Sequence, residues 1–177
     1  MGTNLPYDLE AETNQQIGAL FSSALSTPIT DGEHFSPGVW MLFDPEGSQT
    51  AKVESSEHGP VTLSVETQKP GGWMGLHIAL GGLDLSNVGS FGLVFRSRAP
   101  KAMSIQPCLR SGTDDGFSDA FFSKAIVAHK ASGTHLDCLE LATAPRVPAQ
   151  APWRDLVFFF QPGSFSLELH SLKIFTA

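Results

Sequence analysis

The chain reads as an all-β protein, a sandwich or barrel of short strands, with one helix ahead of it. Three observations carry this. Apolar and polar residues alternate over many short stretches, as they do along half-buried strands. The 17 glycines and 12 prolines fall between those stretches and mark turns. Only one segment has apolar residues at helical spacing: Ile17, Leu20, Phe21, Ala24 and Leu25.

That helix is expected near residues 9–25, with Asp8 as its cap and Pro28 as its stop. It sits in an N-terminal segment, 1–30, ahead of a β domain over 31–177. Expected strands follow at Val39–Phe43, Ala51–Glu54, Val61–Thr67, Trp73–Leu80, Phe91–Arg98 and Met103–Arg110. The series continues with Ala125–Lys130, Leu136–Leu141, Leu156–Phe160 and Phe165–Phe175. Leu156–Phe160 is nearly all apolar, as a strand covered on both faces would be. Ala142–Pro152 holds Pro145, Pro148 and Pro152 and reads as a long surface loop.

Composition limits the partners. The 177 residues fit one domain with a real core. Thirteen phenylalanines against one tyrosine suit a core of rings that need no hydrogen-bond partner. A net charge of -7 repels polyanions, so nucleic acid is not an expected partner. No apolar stretch approaches the ~18 residues of a membrane span. Met1–Glu10 lacks a basic start followed by an apolar run, so no signal peptide is expected there. It is expected to be cytoplasmic, or a domain of a larger exported protein. Cys108 and Cys138 are either one bridge or two small buried hydrophobes.

Strand parity singles out a polar face. Arg96 and Arg98 share one side of their strand, opposite Phe91, Leu93 and Phe95. Gln106 and Arg110 lie opposite Met103, Ile105 and Leu109, and His77 lies opposite Leu76 and Ile78. If these strands are neighbours, three of the chain's five arginines converge on one surface. Guanidinium groups suit carboxylates, sulfates and vicinal hydroxyls, and glutamine supplies a donor and an acceptor. Trp40, Trp73 and Trp153 are indole plates for a sugar ring. The plainer reading pairs the arginines with acids such as Glu140 or Glu168.

Other constellations carry less. Asp114, Asp115 and Asp119 fit a solvated turn and no full calcium-loop pattern. His129 and His135 meet only if a hairpin forms at Ala131–Gly133. No nucleophile elbow, phosphate loop, zincin helix or dinucleotide fingerprint occurs. No metal or cofactor is expected.

Three blocks resemble jelly-roll carbohydrate-binding modules and their galactose-binding-domain-like relatives. They are Trp73–Leu80 after a Gly-rich turn, Phe91–Arg98 with Met103–Arg110, and Trp153–Phe160 with the closing strand Phe165–Phe175. The resemblance spans roughly 35–177. It implies a two-sheet antiparallel β-sandwich of jelly-roll type. It also implies a non-catalytic domain whose arginine-bearing face binds a polar or acidic saccharide. Arg96, Arg98 and Arg110 would grip the ligand, His77 and Gln106 would orient it, and Trp40 and Trp73 would stack on it. Where such modules often end in an Asp-Asn pair, this chain has Leu169-His170-Ser171-Leu172, which argues against a calcium site of the family type. Two alternatives stand beside this reading. One is a protein-interaction module that uses the helix and the Pro-rich loop. The other is a jelly-roll polysaccharide lyase, which would need Tyr7 as its acid. Oligomeric state is not legible.

Overall fold

The structure, a computed structural model, describes residues 11–177. It consists of α1 (Ala11–Ser22), β1 (Leu25–Ile29), β2 (His34–Ser36), β3 (Val39–Phe43), β4 (Ser48–Ser55), β5 (Val61–Lys69), β6 (Met74–Gly81), β7 (Ser90–Arg98), β8 (Met103–Thr113), β9 (Gly116–Phe121), β10 (Ile126–Ala128), β11 (Gly133–Glu140), β12 (Arg154–Phe160) and β13 (Phe165–Thr176). Sheet 1 runs β1-β4-β5-β13-β7-β11. Sheet 2 runs β10-β8-β12-β6-β3-β2, and β9 also pairs with β8. The two antiparallel sheets form the all-β sandwich that the alternation implies.

The core lies between the sheets. One parity of each inner strand fills it: Leu76 and Ile78 from β6, Leu93 and Phe95 from β7, Leu156 and Phe158 from β12. Burying one such side chain stabilises the fold by about 1.5–3 kcal/mol. Phe95 of sheet 1 meets Phe158 of sheet 2 with ring centroids 4.9 Å apart. β12 is the central strand of sheet 2, paired along its whole length with β6 on one side and β8 on the other. Its near-continuous apolar run reflects that position, since even the outward Val157 is fully buried.

The N-terminal helix is shorter than its apolar spacing suggests. It ends at Ser22, where the Ser22 and Ser23 hydroxyls donate to the carbonyls of Gly18 and Ala19. Leu25–Ile29 then pairs with β4 as the edge strand of sheet 1. Pro28 therefore lies inside a strand rather than ending a helix, a place an edge strand allows. The expected cap, Asp8, lies outside the described residues. Ile17 and Leu20 enter the core, and Asn14 covers a sheet edge. β5 flanks β13 only as far as Leu169. Farther along, the Asn14 amide takes over. Its Nδ2 donates to the Ile174 carbonyl at 2.8 Å and its Oδ1 accepts the Ile174 N–H at 2.9 Å. A side chain thus completes what a neighbouring strand would have paired.

Two further strands were hidden in turn-like sequence. His34–Ser36 pairs with β3, and Gly116–Phe121 folds back on β8. The acidic turn shrinks to Asp114 and Asp115, and Asp119 becomes a strand residue. The Pro-rich stretch is a loop, as expected, opening with one 3-10 turn at Leu141–Thr143. No described helix is long and apolar enough to cross a membrane.

Two stability outcomes follow. Asn14→Ala removes both bonds to β13 and is expected to cost about 1–2 kcal/mol in urea unfolding. His135 lies inward on β11 with its Nε2 buried and unbonded, and burial holds its pKa below the ordinary histidine value. The unfolded chain then takes up a proton that the folded chain resists. Stability is therefore expected to fall as pH drops through about 6.5, and His135→Asn should flatten that part of the pH profile.

Candidate ligand-binding face

The structure divides the expected arginine face. β7 belongs to sheet 1, so Arg96 and Arg98 point outward from that layer. His77 on β6 and Gln106 and Arg110 on β8 point outward from sheet 2, on the opposite surface. β6 and β8 are not neighbours either, because β12 lies between them. The parity within each strand is as expected, but the adjacency is not, and the three arginines do not converge. Arg98 is held by Glu168, with Nη2 to Oε1 at 2.6 Å and Nε to Oε2 at 3.1 Å, and that contact raises its pKa. Arg96 donates to the Ser132 hydroxyl at 3.1 Å. Tyr7, which the lyase alternative needs as its acid, lies outside the described residues.

The outer surface of sheet 2 is built from cross-strand rows. Trp40, His77, Val157, Cys108 and Phe121 follow one another across β3, β6, β12, β8 and β9. At the β2 end the rings stack. His34 lies parallel to Trp40 with centroids 4.7 Å apart, and Trp40 covers His77 at 5.2 Å. His77 is only 2% exposed, with Nδ1 3.4 Å from Asp155 Oδ2 and Nε2 unbonded. It is a foundation for Trp40 rather than a surface group. In the next row Phe159 faces Gln106, and its ring meets Phe121 at 5.8 Å. Gln106 uses its Nε2 on the Phe122 carbonyl at 2.8 Å, which leaves its oxygen as an acceptor.

Charge on this face is balanced from within. Arg110 binds Asp119 through two bonds, 2.7 Å from Nε and 2.8 Å from Nη2. Its guanidinium lies 3.9 Å from the centre of the Phe117 ring and 5.8 Å from that of Phe159. The pair raises the Arg110 pKa. With Asp155 beside it, the face carries one guanidinium against two carboxylates. Cys108 lies beneath, fully buried, and burial together with Asp119 pushes its thiol up to about 12. Cys138 is exposed on the outer side of sheet 1, so the two cysteines are free and lie on different layers.

Indoles stand at the two ends of the face. Trp73, 40% exposed, precedes β6 at one end. Trp153, 37% exposed, precedes β12 at the other and lies on the backbone of Gly112. A Cβ at residue 112 would collide with that indole, so glycine is required there. The next residue, Arg154, points inward and is fully buried without a carboxylate. It donates to the Leu83 carbonyl at 2.8 Å, to Ser111 Oγ at 2.5 Å and to the Pro148 and Ala149 carbonyls at 2.7 and 3.0 Å. Burial lowers its pKa. One guanidinium thus ties the Pro-rich loop and the 82–89 loop to the sheet and fixes the entry of Trp153.

Of the residues expected from the sequence, Trp40, Trp73, His77, Gln106 and Arg110 belong to sheet 2 or its end, and much of the surface around them was not anticipated. Phe117, Phe121, Asp119, Asp155, Phe159 and the seat of Trp153 complete it. The signal was present as parity, since Trp153, Asp155, Val157 and Phe159 alternate. Among the described residues no cluster of three or more metal-ligating side chains exists. A cavity of about 650 Å³ lies off this face between the β7–β8 and β12–β13 turns, with Lys52, Lys101 and Glu66 in its wall.

No family model matches the chain, and no curated protein matches it. Solved structures match it in shape. A family 11 carbohydrate-binding module from Clostridium thermocellum, in complex with a β-1,3-1,4-mixed-linked tetrasaccharide, is 15% identical. The match covers 88% of this chain and 98% of the module at a TM-score of 0.54. The chain has the jelly-roll β-sandwich fold of carbohydrate-binding modules. A CBM4 structure superposes at a TM-score of 0.61 with 10% identity over 90% of this chain and 98% of its own. The CBM22-1 xylan-binding domain from Paenibacillus barcinonensis gives 0.51 with 9% identity over 88% and 96%.

Arg154→Met leaves three carbonyls and the Ser111 hydroxyl without their donor. It is expected to cost at least about 3 kcal/mol in denaturant unfolding. Thiol titration at about pH 8 should find Cys138 reactive and Cys108 silent until the chain is unfolded.

Proposed function

We propose that the chain is a non-catalytic saccharide-binding domain and that the ligand lies on the outer surface of sheet 2. One observation carries this: the outward aromatic side chains concentrate there. Trp40, Trp153, Phe117, Phe121 and Phe159 share that surface, with Trp73 at its end. The outer side of sheet 1 instead carries ion pairs, Lys52 with Glu54 and Arg98 with Glu168. Sugar rings have apolar faces that need such plates and hydroxyls that need polar groups between them. Arg110, Asp119 and the Gln106 oxygen stand between the rings.

The charge argues for a neutral saccharide. One guanidinium already held by Asp119, beside a second carboxylate, has little left for a uronate or sulfate. Arg96 and Arg98 then take no part. His77 acts through Trp40, whose indole it supports. Modules of the same fold in complex with a mixed-linked tetrasaccharide and with xylan-binding character support this reading. With net hydrogen bonds of about 1 kcal/mol each, affinity should fall in the micromolar to millimolar range.

Affinity electrophoresis in mixed-linked β-glucan, xylan and polygalacturonate tests this. Retardation is expected in a neutral gel and absent in polygalacturonate. Trp153→Ala or Phe121→Ala should weaken binding by roughly tenfold. Arg96→Ala and Arg98→Ala should leave it unchanged. Retardation by polygalacturonate alone, abolished in Arg98→Ala, would move the ligand to the other sheet and end this reading.

A further inference from the structure

We propose that the sugar-binding surface continues around the edge of the sandwich into a side cavity, so that the preferred saccharide carries a branch. This rests on the ligand lying on sheet 2, and it adds what that ligand must look like. β9 is an outer strand of sheet 2 and β11 is an outer strand of sheet 1. On the side where neither has a partner, a cavity of about 460 Å³ opens between them. Asp119 and Phe121 line it from β9, Cys138 and Glu140 from β11, and Thr143 and Arg146 from the Pro-rich loop. That volume falls in the usual small-ligand range of about 300–1,000 Å³.

Asp119 and Phe121 belong to both places. On the face they hold Arg110 and meet the Phe159 ring; at the edge they form the cavity wall. A backbone sugar seated beside Phe121 therefore has the cavity next to it. The wall has chemistry for hydroxyls. Unpaired strand edges present backbone N–H and C=O groups. Among the described residues, the Arg146 guanidinium and the Glu140 carboxylate have no side-chain partner, and such groups form strong charge-assisted bonds to hydroxyl pairs. The wall is also preformed. Ser118 Oγ donates to the Arg146 carbonyl at 2.8 Å, and Arg154 holds the carbonyls of Pro148 and Ala149 a few residues later. A rigid wall lowers the ordering cost of binding.

Calorimetric titration with matched pairs tests the branch site: cellohexaose against a xyloglucan oligosaccharide, and xylohexaose against an arabinoxylan oligosaccharide. In at least one pair the branched member is expected to bind about tenfold tighter, the gain of one or two added hydrogen bonds. Thr143→Trp, which fills the cavity from an exposed position, should erase that preference and leave linear affinity unchanged. Arg146→Ala should reduce the preference without touching linear binding. Equal affinity within both pairs overturns the branch site and leaves the sheet 2 reading intact. If none of the four oligosaccharides binds, both fall together.

Discussion

The pairing of β12 on both of its edges constrains the rest of the molecule. A strand with two neighbours has its register set twice, once by β6 and once by β8. A slip of one residue on either side would turn Leu156, Phe158 and Phe160 out of the core. Because they must stay inside, Trp153, Asp155, Val157 and Phe159 must face outward. The same register sets His77 opposite Val157 and Val157 opposite Cys108. The candidate face is the other side of the core.

Electrostatics on the two sides of that strand follow opposite rules. Arg154 is buried among carbonyls with no carboxylate partner, an arrangement that works because each of its three nitrogens meets an oxygen. Its reward is geometric, since a loop poor in backbone pairing gains a single anchor. Arg110, on the outer surface of sheet 2, is instead matched by Asp119 and flanked by rings. Burial lowers the pKa of the first guanidinium, and the carboxylate raises that of the second. Neither is a free cation waiting for an anion. That is why the saccharide proposed for this face is neutral rather than the acidic one that the arginine count suggested.

The edges of the sandwich are handled differently at each end, and that difference shapes the surface available to a ligand. On one side, Asn14 covers the β13 edge with two bonds. On the other, β9 and β11 remain apart with a cavity between them. Gly112 and Trp153 show how fine the fit is, because the indole rests where a Cβ would be.

The sequence alone determined the fold class, most strand positions and which side of each strand faces oil. Those are local facts, written in a period of two and in glycine and proline punctuation. It also put His77, Gln106 and Arg110 on the polar parity of their strands and offered Trp40 and Trp73 as plates. It misled where the signal was weak: the Gly-rich, acidic approach to Phe121 hid β9, and Ile17 to Leu25 looked like one continuous helical stripe. Only the tertiary structure decided which strands lie side by side, sending β7 to one layer and β6 and β8 to the other. The physical reason is that backbone hydrogen bonds are the same for any partner strand. Parity shows which way a side chain points, and long-range packing alone decides what stands next to it.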